Sequence, residues 1–163
     1  MNSKLRLIFS GIAVTCAAAC SGSFHLDHPL PDSAAELASI APSTVNGVEG
    51  NTECRIFGID GDPVVHIGAF CESNYVNLGE IVVGKFNTAN DAKTFVKHHQ
   101  ASINRGASTM VEALDVDWYK YNLENDGTSF LWRKENWVFK VEAKTPSNHA
   151  ALVQSFNHIS TKE

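Results

Sequence analysis

The sequence predicts an α+β domain, a two-layer sandwich with a mainly antiparallel sheet of about five to six strands and two amphipathic helices on one face. Three observations carry that expectation. Two β-rich runs flank the turn Asp60-Gly61-Asp62-Pro63 and bring two cysteines opposite each other. A strand followed by a Thr-capped amphipathic helix occurs twice. Three aromatic-rich runs separated by short polar turns read as a meander.

In "TECRIFGIDGDPVVHIGAFCES", Cys54, Ile56 and Gly58 share one face of the first strand. Val65, Ile67, Ala69 and Cys71 share one face of the second. Pairing residues whose numbers sum to 125 sets Cys54 opposite Cys71, Ile56 opposite Ala69 and Gly58 opposite Ile67. In an exported chain a Cys54–Cys71 disulfide follows, and closing this loop contributes about 3 kcal/mol in the chain-entropy model. A metal site would need two further ligands, and His66 falls on the other face; no C-x-x-C redox pair is present.

"NLGEIVVGKF" carries the apolar run Ile81-Val82-Val83 and reads as a central strand. "TANDAKTFVKHHQASINRG" reads as a helix, with Thr88 as N-cap, Asp91 three residues on and Gly106 as the stop. Its stripe is Ala92, Phe95, Val96, His99 and Ile103. His98 and His99 cannot serve one site, because adjacent helix residues point about 100° apart; a semi-buried, hydrogen-bonded His99 is expected. "VEALDVDWYKYNL", "TSFLWRK" and "NWVFKVEA" form the meander, and "SNHAALVQSFNHI" closes the chain as a helix.

The meander holds Trp118, Tyr119, Tyr121, Phe130, Trp132, Trp137 and Phe139, seven aromatics within 22 residues. Because Trp118 has the opposite parity to Tyr119 and Tyr121, some rings are expected on an outer face. Trp118, Tyr119, Tyr121, Trp132 and Trp137 are therefore a candidate ligand platform, against the plain reading that strands favour aromatics. Asp115 and Asp117 form a D-x-D pair, read as solvated edge carboxylates.

The first twenty residues read as an address. Lys4 and Arg6 precede an apolar stretch from Leu7 to Ala19, too short for the roughly 20 residues that span a bilayer. Ala17-Ala18-Ala19-Cys20 resembles the lipobox of bacterial lipoproteins. Cys16 competes less well, since Thr15 precedes it, and an ordinary cleaved signal is the other reading. The resemblance implies a signal peptide over 1–19, a diacylglyceryl thioether on Cys20 and an acylated amino terminus. Such chains hold a protein on a membrane at about 0.8 kcal/mol per buried methylene. Ser21, where an Asp would signal inner-membrane retention, favours the outer membrane facing the periplasm.

Residues 20–50 are expected to be the lipidated terminus and a flexible acidic tether, and 51–163 the domain. No Lys or Arg lies between Arg6 and Arg55, and the stretch is rich in Ser, Pro, Gly and Ala. Ser33-Ala34-Ala35-Glu36 fits a capping box for a turn or two of helix. His25, Asp27 and His28 read as a solvated polar patch rather than a metal site. Removing Lys4 and Arg6 leaves 11 basic against 18 acidic residues, a formal charge near −7. That balance gives no electrostatic footprint for nucleic acid.

Val83-Gly84-Lys85-Phe86, with Ala92 eight positions after Gly84, resembles the first strand–helix unit of sporulation-related-repeat (SPOR) domains, which bind peptidoglycan glycan strands. The second unit has Glu142-Ala143-Lys144 where that family repeats Gly-x-Phe, so no functional residue is carried over. No G-x-S-x-G, H-E-x-x-H, phosphate-binding glycine loop or paired-His zinc spacing occurs, and no catalytic residue, metal or cofactor is assigned. The function expected is a membrane-anchored envelope lipoprotein with a non-catalytic domain that binds a protein partner. Glycan binding through the aromatic strands is the first alternative, and hydrolase activity the second.

Overall fold

The computed structural model describes residues 29–60, 64–103, 106–112 and 116–158. It contains strands β1 (Thr44–Val45), β2 (Val48–Ile59), β3 (Val65–Tyr75) and β4 (Gly79–Phe86), then helix α1 (Ala89–Ser102). Strands β5 (Thr109–Glu112), β6 (Val116–Asn122), β7 (Thr128–Lys134) and β8 (Trp137–Ala143) follow, then helix α2 (Pro146–Ser155). All eight strands form one antiparallel sheet in the order β1-β2-β3-β4-β8-β7-β6-β5. Two four-stranded meanders, each ending in a helix, thus meet at β4 and β8. The α+β class and the antiparallel sheet agree with expectation, but the strands number eight rather than five to six.

The helices do not share a face. The α1 core joins Ala92, Phe95 and Val96 to Phe86, Tyr119, Tyr121, Leu131 and Val138. The α2 core joins Leu152 and Phe156 to Ile81, Val83, Trp118, Trp132, Phe139 and Val141. Strand residues in the two sets have opposite parity, so they project from opposite faces. The arrangement is three layers, helix–sheet–helix. The cause is visible in Ile81, Val82 and Val83, all at most 1% exposed. An uninterrupted apolar run needs cover on both sides, and two helices on one face would leave Val82 or its neighbours in water.

Both caps form as read. Thr88 Oγ1 accepts from the Asp91 amide at 3.1 Å, and Thr145 Oγ1 accepts from the Asn148 amide at 3.3 Å. Such caps contribute about 1 kcal/mol each. The first helix ends at Ser102, short of the Gly106 stop, with Ile103 in extended conformation. The first run of the expected meander, "VEALDVDWYKYNL", is not one strand but spans the end of β5 and all of β6.

Residues 29–50 are not a free tether. Val45 is 1% exposed within the α2 core, and Leu30, Leu37, Ile40, Ala41 and Val48 pack against it. The Tyr75 hydroxyl donates to the Pro42 carbonyl, and Lys85 Nζ donates to the Ser33 carbonyl at 2.7 Å. Asn46 and Gly47, with φ of 49° and 78°, make the two-residue β1–β2 hairpin turn. The expected capping box is replaced by Asp32, whose side chain accepts from the Ala34 amide at 2.8 Å. Only a short 3-10 turn follows, at Leu37–Ser39. Residues 1–28, including Cys16, Cys20, His25, Asp27 and His28, lie outside the described residues.

The five candidate platform rings are core residues. Trp118, Tyr119, Tyr121, Trp132 and Trp137 are all at most 4% exposed. As their parity predicts, Trp118, Trp132 and Trp137 face one way and the tyrosines the other. Each face, however, carries a helix, so neither set reaches solvent as a platform. Trp132→Ala is expected to lower stability by about 3–5 kcal/mol, as for large core truncations, read by urea denaturation. A loss below about 1 kcal/mol would contradict this placement of the ring.

Candidate functional site

Two polar centres sit between α1 and the sheet. In the first, Asp117 and Arg133 are cross-strand partners on β6 and β7, and the Asp117 carboxylate accepts from Arg133 Nε. Arg133 is fully buried and Asp117 only 6% exposed. Arg133 Nη1 also donates to the Glu135 carbonyl at 3.0 Å, while Nη2 has no partner. Asp117 is thus a buried ion-pair member rather than a solvated edge carboxylate, and Asp115 lies outside the described residues. Beside it the Tyr119 hydroxyl donates to Glu112 Oε1 at 2.6 Å. Burial first, then the Glu112 and Asp117 carboxylates, push the Tyr119 phenol upward, so it stays a donor. A cleft of about 490 Å³ opens here, lined by Lys93, Lys97, Gln100, Glu112 and Asp117 among others.

The second centre lies at the carboxyl end of α1. Lys140 Nζ pairs with Glu80, and with Glu142 at 3.5 Å. His99, half-buried, stacks on Phe95 with ring centroids 5.0 Å apart. Burial, with Lys140 and His98 adding to it against Glu80, depresses His99 to about 4. It is therefore neutral at pH 7. Ser102 lines the same cleft, of about 380 Å³, but its hydroxyl donates to the His99 backbone carbonyl rather than to an imidazole. No activated nucleophile results. The largest cleft described, about 680 Å³, is lined by turn residues such as Asn77, Leu78, Asn125 and Gly127 around Glu80, Glu142 and Lys144. Among the described residues no three His, Cys, Asp or Glu side chains gather as metal ligands.

The remaining candidate is the β2–β3 hairpin. Cys54 and Cys71 are bonded across it with Cα atoms 4.0 Å apart, and the Cys54–Cys71 and Ile56–Ala69 pairings occur as read. The register slips after Phe57, so Gly58 opposes His66 rather than Ile67. The slip is a bulge that turns the hairpin end. Beyond it Ile59, Val64 and Val65 are 45%, 51% and 57% exposed, and Ile56 before it is 67% exposed. β1 covers β2 only at its start, through Thr44–Glu49 and Val45–Val48. Among the described residues, the outer edge of β2 past Gly50 has no strand beside it in the sheet. Sequence reasoning placed the strand but not its edge position, because order across the sheet depends on which strand the amino-terminal residues cover.

No protein-family model matches the chain, and no curated protein matches it at a significant level. Among solved structures, the crystal structure of a GTP-binding regulator from Thermotoga maritima is similar at 13% identity, with a TM-score of 0.41. The likeness covers 70% of this chain and 81% of that one.

The α2 side supplies a pH test. His149 is 6% exposed, with Phe130 edge-on at 4.3 Å and its Nε2 without a partner. Burial, with a smaller push from Lys120 and a backbone bond to Val141 opposing, lowers it to about 4. The folded state thus binds this proton less readily than the unfolded chain, whose histidine titrates near 6.5. Stability from His149 is fully present above about 6.5 and is lost as pH falls towards 4. The melting temperature should drop across that window, and the drop should shrink in His149→Gln and shrink further with His99→Gln. An unchanged slope in the double variant would contradict the assignment.

Proposed function

We propose that this chain is a lipid-anchored lipoprotein of the bacterial cell envelope whose α+β domain is a non-catalytic protein-binding module. The anchor is the thioether on Cys20, and the supporting sequence is the basic start, the short apolar run and the small residues before that cysteine. Because residues 29–50 pack into the domain, the segment between Cys20 and Pro29 is the connection left to separate domain and membrane. A stretch of that length can reach at most about 30 Å fully extended, which keeps the domain nearer the bilayer than a 30-residue tether would. Ser21 supports placement at the outer membrane.

The observation that carries the binding role is the open β2 edge with its apolar hairpin end. Both faces of the central strands are covered by helices, while Ile56, Ile59, Val64 and Val65 stay exposed around an edge that can accept a further strand. Strand addition takes affinity from main-chain hydrogen bonds and specificity from neighbouring side chains. The buried Asp117–Arg133 pair and the Lys140 cluster support a structural use of the charged residues under α1 rather than a catalytic one.

The address is tested by Cys20→Ser in cells grown with a labelled fatty acid. The wild type should carry label and pellet with membranes; the variant should lose both. Label retained in the variant would move lipidation to Cys16 or defeat the anchor.

A further inference from the structure

The β2 edge is open over a limited window. At one end Gly50 donates its amide to the Ser43 carbonyl at 2.9 Å, so its outward N–H is already used. At the other end the bulge after Phe57 breaks the register. Residues 51–57 lie between, and the middle of that window is Cys54. The Gly50 bond also shows which way the strand points its groups. Even-numbered residues direct N–H and C=O away from β3, so Thr52, Cys54 and Ile56 present theirs at the edge.

We propose that this edge pairs antiparallel with the same edge of a second copy, about a two-fold axis at Cys54. The proposal names the partner of the edge described above and rests on that reading of it. A two-fold antiparallel pair must set one residue opposite itself, and centring on Cys54 uses the whole window. Cys54 then exchanges both hydrogen bonds with Cys54 of the second copy, and Thr52 does so with its Ile56, about six bonds in all. Glu53 falls opposite Arg55 of the second copy, and Arg55 opposite its Glu53, in the close pairs that lie between hydrogen-bonded ones.

Charge selects this register. Centring on Glu53 or Arg55 sets like charges face to face, which is destabilising. Both side chains are available, 64% and 60% exposed, and held by each other at 3.2 Å. Exposed charges on an edge strand normally discourage pairing. Here their order, acid and base two apart about the centre, discourages every partner except one presenting the mirror order, and this strand presents it. Ile56 is covered in the process, and past Phe57 the bulge turns the hairpin end out of the pairing line, where β1 of the second copy already holds the edge. The interface is isologous and closes after two chains.

The test uses the mature chain carrying Cys20→Ser, followed by sedimentation velocity over a concentration series. A monomer–dimer equilibrium is expected. Arg55→Glu or Glu53→Arg should raise the dissociation constant about tenfold or more, and the exchanged pair Glu53→Arg with Arg55→Glu should restore it. Ile56→Pro, which removes an outward amide and no hydrogen bond to β3, should also abolish the dimer; should it fail to fold, the charge set decides alone. A chain that is monomeric at every concentration, or a dimer indifferent to these changes, overturns the proposal. Heterologous adducts alone from a photo-crosslinker at Thr52 in cells would likewise overturn it, assigning the edge to another protein's strand. Loss of the dimer with lipid labelling intact removes this inference only, and loss of labelling with the dimer intact removes only the anchor.

Discussion

The pairing of β4 with β8 is the constraint on which the rest of the molecule depends. It joins strands some fifty residues apart, running from Gly79–Ala143 to Lys85–Trp137 without interruption. Each strand is the last of its meander, so the contact fuses two locally formed units into one sheet. The approach is close at Gly79, where an added Cβ would lie 2.1 Å from the Glu142 carbonyl and φ is +151°. Having become the centre of the sheet, both strands lose solvent on both faces. Ile81, Val82, Val83, Val138, Phe139 and Val141 are at most 1% exposed. A helix on each face is the consequence.

That burial assigns the polar residues their part. Arg133 and Lys140 sit on the α1 face because the strand alternation puts them there; Arg133 is met by Asp117 from adjacent β6, and Lys140 by Glu80 from adjacent β4 and Glu142 from its own strand. A buried pair of this kind adds little net stability, since desolvation offsets the attraction, but losing one member leaves a buried charge exposed to no partner. With both faces of the central strands occupied, the part of the sheet left accessible is its outer strands, and β2 offers the long open edge.

Much of this was legible where local chemistry decides. The Cys54–Cys71 register, the Thr88 and Thr145 caps and the β6–β8 meander all follow from alternation, short turns and hydroxyl spacing. What was misread depended on distant contacts. Val45-Asn46-Gly47-Val48 is a strong hairpin signal, yet it lies in an acidic, Ser- and Pro-rich stretch whose composition says linker. Its apolar residues are too few to pattern alone and are held by a core built from later strands. Asp117 read as an edge carboxylate because its partner, Arg133, comes close only through the β6–β7 register. The rings of the meander read as a platform because parity shows which way they point, not what covers them. The Ile81-Val82-Val83 run contained the missing fact, since it demanded cover on two sides.

The central claim is that the sheet is closed on both faces at β4 and β8 and open along β2, and native-state hydrogen exchange measures it most directly. In dilute unlipidated chain, amides of Val82, Val83, Phe139 and Lys140 should exchange only through global unfolding. The outward amides of Thr52, Cys54 and Ile56 should exchange fast, while the inward ones of Glu53 and Arg55 are protected. Fast exchange at β8, or protection of Thr52 and Ile56 equal to that of Glu53 and Arg55 at the same dilution, would contradict it.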